Sequence, residues 1–129
     1  MTTDEVPDDR RYTDDHEWAQ QTDEGIRIGI THYAQDALGD VVFVKLPDIG
    51  AEVGAHDAFS EVESTKSVSE VYAPLDGSVV AVNESLTDDP GRLNTDPYGT
   101  GWICVLRPVD GAAYDSLLDA GAYRSLISD

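Results

Sequence analysis

Of the side chains in this sequence that could do covalent chemistry, one lysine stands out. Lysine occurs only at positions 45 and 66. Lys66 lies within Ser64-Thr65-Lys66-Ser67, a run of small polar residues between apolar positions at Val62 and at Val68, Val71 and Ala73. Such a run reads as the corner of a β-hairpin. A lysine at that corner holds its four-carbon stem in water and presents an accessible primary amine for modification. Exposed lysines on turns are ordinary, and position alone would make this one solvated decoration. Its context points further: Glu63 lies three residues before it, and Pro74 and Gly77 lie beyond the second strand.

The other candidates offer less. Lys45 falls in an alternating apolar run ahead of Leu46-Pro47 and reads as a strand residue snorkelling to water. Cys104, the single cysteine, excludes an internal disulfide. Within Trp102-Ile103-Cys104-Val105-Leu106 it reads as a small buried hydrophobe and not a reactive thiol. His16, His32 and His56 lack ligand spacing, so no metal site is expected. Gly99-Thr100-Gly101 is a turn, because no helix follows to supply an anion site. Trp18 and Trp102 read as core. No nucleophile is paired with a base, so the chain is not expected to be an enzyme by itself.

Short apolar runs broken by turn residues must position Lys66. Strands are expected near 16–20, 26–31, 41–46, 59–64, 67–73, 78–83 and 102–107, with Thr22-Asp23-Glu24-Gly25 as a hairpin connection. A short helix over 33–38 would be capped by Thr31 and ended by Gly39. Near the C-terminus, Tyr114, Leu117 and Leu118, then Tyr123, Leu126 and Ile127, recur at helical spacing. Two helices broken at Gly121 and lying over the sheet follow from that pattern. Gly39-Asp40-Val41-Val42-Phe43-Val44 echoes Gly77-Ser78-Val79-Val80-Ala81-Val82, and two copies of a strand unit suggest a barrel-like sandwich of approximate twofold symmetry. The expected fold is mainly β, a barrel-like sandwich with a few short helices. Residues 1–11 read as an acidic flexible tail and 12–129 as one domain, with its core at about 25–107 and C-terminal helices at about 112–127.

Composition sets the company this chain can keep. Its 26 acidic residues against 8 basic ones give a net charge of −18. Phosphate backbones and anionic membranes would be repelled over most of the surface, which argues against nucleic-acid and membrane partners. Acid in place of lysine is the pattern of a protein working in concentrated salt, where screening weakens self-repulsion. No stretch is long enough to span a membrane, and the acidic opening is the opposite of a transit peptide. A cytoplasmic setting is expected.

With these residues in view, the sequence resembles the glycine cleavage H-protein family from about residue 12 to 123. The resemblance rests on Tyr12-Thr13 with His16-Glu17-Trp18, on Tyr33-Ala34-Gln35 with Leu38-Gly39-Asp40, and on Glu63-Ser64-Thr65-Lys66-Ser67-Val68-Ser69. Tyr72-Ala73-Pro74, Gly77 and Asp96-Pro97-Tyr98-Gly99 extend it in the same order and spacing. It implies a barrel-sandwich hybrid fold of the lipoyl- and biotinyl-carrier kind, and a non-catalytic carrier whose Lys66 bears lipoic acid through an amide bond. In the family's cycle, a pyridoxal-phosphate glycine decarboxylase (the P protein) passes an aminomethyl group to the oxidised arm. A folate-dependent aminomethyltransferase (the T protein) takes the methylene and releases ammonia, and a flavin enzyme, dihydrolipoamide dehydrogenase (the L protein), reoxidises the dithiol. The resemblance further implies that Glu63 and Gly77 are read by lipoylating enzymes. It likewise implies that Asp15, Glu17 and Glu70 border a pocket sheltering the loaded arm. Asp15 replaces a small polar residue common in the family, and Glu70 replaces aspartate.

Four rival readings share the hairpin lysine. Biotin carriers usually flank it with methionines, where this chain has Thr65 and Ser67. Lipoyl domains of 2-oxoacid dehydrogenases are modules on linkers, and no such linker is seen. A relay that hands lipoyl groups to other enzymes would keep the fold and change the role. An interaction module with an unmodified lysine is the fourth.

Overall fold

A computed structural model of the chain describes residues 6–128. The described residues form two antiparallel sheets joined by short helices. β1 (Arg11–Tyr12), β2 (Glu17–Thr22) and β3 (Gly25–Ile30) precede helix α1 (His32–Leu38). Next come β4 (Val41–Lys45), β5 (Glu52–Val53), β6 (Ala58–Ser64), β7 (Val68–Tyr72) and β8 (Gly77–Val82). Helices α2 (Ser85–Asp88) and α3 (Arg92–Thr95), strand β9 (Cys104–Pro108), a 3₁₀ helix (Gly111–Ser116) and α4 (Ala120–Ile127) complete the order. One sheet runs β1-β2-β3-β9-β8-β5 and the other β4-β6-β7. This is the mainly β sandwich expected from the apolar pattern, and the carrier-like fold that the resemblance implies.

Alternation explains most of the register. Ile26 and Ile28 on β3 face inward, and β9 contributes Cys104 and Leu106, which pair with Ile28 and Ile26. Val44 and Val62, paired across β4 and β6, close the core from the second sheet with Val71 of β7. Cys104 is buried, as expected of a small hydrophobe, and burial pushes its thiol pKa up. The hairpin at Thr22–Gly25 forms as its residues dictate, with the Thr22 hydroxyl donating to Gly25 O at 2.9 Å. Thr31 caps α1 by accepting from Ala34 N–H, and Gly39 ends it. The two echoing segments fall one in each sheet, as β4 and β8.

Three expectations need correction. The segment before Tyr12 is docked in its described part, 6–11: Val6 is fully buried, and Arg10 lies over the Trp18 ring at 4.7 Å and donates to Tyr98 O at 3.0 Å. An arginine sandwiched by aromatics has no apolar signature in sequence. Residues 1–5 lie outside the described residues. At the other end, Gly121 does not break the helices but sits in the first turn of α4, which Asp119 caps. The break comes earlier, where Leu118 exchanges backbone hydrogen bonds with Tyr12 at 2.8 and 2.9 Å. The segment before it is 3₁₀, so Leu117 and Leu118 lie outside any helix. β1, β5, α2 and α3 escaped the sequence pattern because two- to four-residue elements are too short to show a period.

Candidate functional site

Lys66 owes its position to a four-residue corner between β6 and β7. Ser64 N–H donates to Ser67 O at 2.8 Å and closes the ladder. The Ser64 hydroxyl oxygen accepts from Lys66 N–H at 3.3 Å and from Ser67 N–H at 3.1 Å. One side chain thus satisfies two backbone donors that the turn exposes. Thr65 N–H donates to Asp40 O at 3.0 Å and pins the corner to the segment entering β4. Lys66 is exposed, yet its stem is not wholly in water. It passes beside Gly39, where a Cβ would stand 3.4 Å from Lys66 Cε. Gly39 has φ +82°, a backbone conformation that suits glycine.

Next along the chain from Gly39, Leu38 forms part of the wall of a cavity of about 180 Å³. Asp15, Glu17 and Glu70 all line it, together with Ile30, Leu38 and Val62. The fold therefore gathers three carboxylates, one from each sheet and Asp15 from the turn before β2, around one small space. They are not equivalent. Asp15 is exposed. Glu70 is also exposed and pairs opposite Glu61, so it stands on the outer face of the three-stranded sheet and meets the cavity at its rim. Glu17 is buried, 2% exposed. Its Oε1 accepts the Thr13 hydroxyl at 2.6 Å and its Oε2 accepts Tyr72 N–H at 3.1 Å. Burial pushes its pKa up to about 7, against the pull of those two hydrogen bonds.

His16 completes the wall from the side of α4. Its backbone is left-handed, φ 69°, where the chain turns into β2. Its Nδ1 lies 2.8 Å from the Tyr123 hydroxyl, which also lies 2.8 Å from Thr31 Oγ1. The ring stacks on Tyr33 at 4.6 Å, and burial lowers its pKa. The helix that sequence placed as a lid thus anchors the strand carrying Glu17.

Glu63 and Gly77 part company. Glu63 is one register step behind the Lys66 corner, between Phe43 and Val68. Gly77 opens β8 in the other sheet, paired with Val53 and Pro108, and is not part of the hairpin. A Cβ there would meet Arg107 O at 2.6 Å. Close strand approach is reason enough for glycine at this position. A larger cleft of about 490 Å³, bordered by Tyr12, His56, Leu75 and Leu118, holds none of the site residues expected from sequence. Among the described residues, no cluster of three or more His, Cys, Asp or Glu side chains could hold a metal ion.

A pinned lysine corner beside an acid-lined cavity is matched by known proteins over nearly the whole chain. The family model described as glycine cleavage H-protein matches residues 10–129. The chain belongs to that family. The H protein of Mycolicibacterium smegmatis is 54% identical over 129 aligned positions, covering 97% of this chain and 98% of the relative. That of Myxococcus xanthus is 48% identical, with 98% of each chain covered. A crystal structure of the H protein from Mycobacterium marinum superposes with a TM-score of 0.88 at 44% identity, over 96% of this chain and all of that one. H proteins are lipoyl carriers in the glycine cleavage system and not catalysts, and this chain has that role. Sequence reasoning missed the apolar cavity wall of Ile30, Leu38 and Val62, whose members read only as core. It also missed the Tyr123–His16 link, which joins residues 107 apart in the chain.

Proposed function

We propose that this H protein carries lipoic acid as an amide on Lys66 Nζ and that the cavity bounded by Asp15, Glu17 and Glu70 shelters the loaded end of the arm. The observation that carries this reading is the placement of one exposed lysine, its stem along Gly39, beside a small cavity holding a buried carboxylate. The lipoyl group would supply a disulfide that accepts an aminomethyl group and is reduced in doing so. Everything else falls to the chain's own residues. Ser64 and Asp40 fix the corner from which the arm starts. Ile30, Leu38 and Val62 exclude water from the cavity. Glu17, held by the Thr13 hydroxyl and Tyr72 N–H, offers a carboxylate to a protonated amine, and the low-dielectric surroundings strengthen that attraction.

The partners are then the P, T and L proteins in turn, and beforehand a lipoylating enzyme that reads Glu63 and Gly77. The acidic surface suits a salt-rich cytoplasm, where counterions screen its self-repulsion. Among the described residues no helix is long and apolar enough to cross a membrane. The test is the peptide mass of protein purified from its native cells. A lipoyl-sized increment confined to the Lys66 peptide is expected. An unmodified Lys66 in cells that lipoylate other proteins would overturn the assignment.

A further inference from the structure

The outer face of the three-stranded sheet carries apolar side chains that alternation does not explain. A bulge between Val41 and Phe43 turns two successive residues outward, leaving Val42 54% and Phe43 49% exposed. Across the sheet, Phe43 pairs with Glu63 and Glu63 with Val68, itself 58% exposed. Phe43 and Val68 thus flank Glu63 in the register row next to the Lys66 corner, and the bulge turns Val42 outward beside Phe43 in sequence. Single exposed hydrophobes are ordinary, whereas a patch framing a modified residue is the mark of an interface.

We infer that Val42, Phe43 and Val68, with Glu63 at their centre, are the docking surface for the enzyme that acylates Lys66. The inference rests on the lipoyl reading above. Reach selects this partner. Before modification the amine ends a four-carbon stem, so an enzyme must close over the corner and its neighbouring row to bring Nζ to an acyl carbon. After modification the long arm extends into a partner's active site, and this face need not be covered. Charge gives the partner's chemistry. Glu61 and Glu70 pair in the next outward row of the same sheet, and Asp40 directly precedes the bulged strand, on a chain of net charge −18. The matching surface is an apolar patch with a cation set against Glu63 and a basic rim. In the step itself, neutral Nζ attacks the carbonyl carbon of an acyl adenylate. The amide bond forms, the mixed-anhydride bond breaks, AMP leaves with the electron pair, and the amine gives up a proton to solvent.

The test uses the full-length unmodified chain, a bacterial lipoate ligase, lipoate and ATP, with modification followed by intact mass. Phe43→Thr and Val68→Thr place a β-branched side chain of good strand propensity at each exposed position, and their melting curves are compared with wild type. Each is expected to lower kcat/KM for lipoylation about tenfold or more, chiefly through KM, as for truncation of an interface anchor. Ile49→Thr, at an equally exposed apolar position away from the hairpin (65%), should leave the rate unchanged. Once forced to full lipoylation with excess ligase, the two patch variants should support glycine cleavage at near wild-type rate. Wild-type lipoylation rates in both would overturn the docking surface while leaving Lys66 as the carrier residue. An equal loss in glycine cleavage by the loaded variants would overturn the choice of partner. Failure of wild type itself to gain a lipoyl mass would overturn the lipoyl reading and this inference with it.

Discussion

Glu17 should make folding stability depend on pH in a direction opposite to that of most carboxylates. Its folded-state pKa is raised from 4.5 to about 7 because burial disfavours the charged form. The folded state therefore holds the proton more tightly than the unfolded chain does. The stability this contributes is fully present below the unfolded value and is lost as pH rises through about 7. At ~1.4 kcal/mol per pH unit, the span from 4.5 to about 7 amounts to about 3 kcal/mol. Glu17→Gln keeps the size and a carbonyl to accept Tyr72 N–H but cannot ionise. Between about pH 5 and pH 8 the variant should gain about 2 to 3 kcal/mol of stability relative to wild type. Urea unfolding followed by tryptophan fluorescence in concentrated KCl measures both proteins across that range. Taking the difference cancels the carboxylates they share. A difference that stays constant with pH would refute the reasoning, since Glu17 would then not titrate in the folded state. The same variant should lose the aminomethyl group from its loaded arm faster, so stability gained by neutralising the cavity costs function.

Other outcomes follow from the same structure. Gly77→Ala should cost about 1 to 3 kcal/mol by forcing β8 from Arg107 O, read as a lowered thermal midpoint. A lipoylation rate lowered beyond what that loss explains is expected from its reading by the lipoylating enzyme, and an unchanged rate would remove Gly77 from recognition. Tyr123→Phe removes the hydroxyl that meets both His16 and Thr31 and should cost about 1 to 2 kcal/mol, measured by denaturant unfolding. Because net charge is −18, partial unfolding is expected in dilute buffer. A circular dichroism spectrum that does not change across a salt series would contradict it.

The site divides cleanly between what is local and what is not. The sequence by itself determined the hairpin and its lysine. Ser64-Thr65-Lys66-Ser67 is a corner by residue type, and period-two apolar runs on either side make it a β-corner whatever surrounds it. The cap at Thr31 and the stop at Gly39 are local for the same reason. Tertiary structure alone decided the cavity. Glu17 lies 53 residues from Glu70 by number, and it is buried where its strand meets the other sheet, whose Tyr72 N–H donates to it. An acidic residue in a chain this acidic carries no sign in its own neighbourhood that it will lose its water. The exposed trio was hidden for a related reason, since a bulge inverts the inward–outward alternation at Val42 and Phe43 and is set by pairing with β6. The docked N-terminal segment completes the pattern: Arg10 reads as solvated charge until Trp18 and Tyr98, distant in sequence, close over it. Residue type and spacing fix conformations that each segment can satisfy alone, whereas desolvation depends on which segments meet.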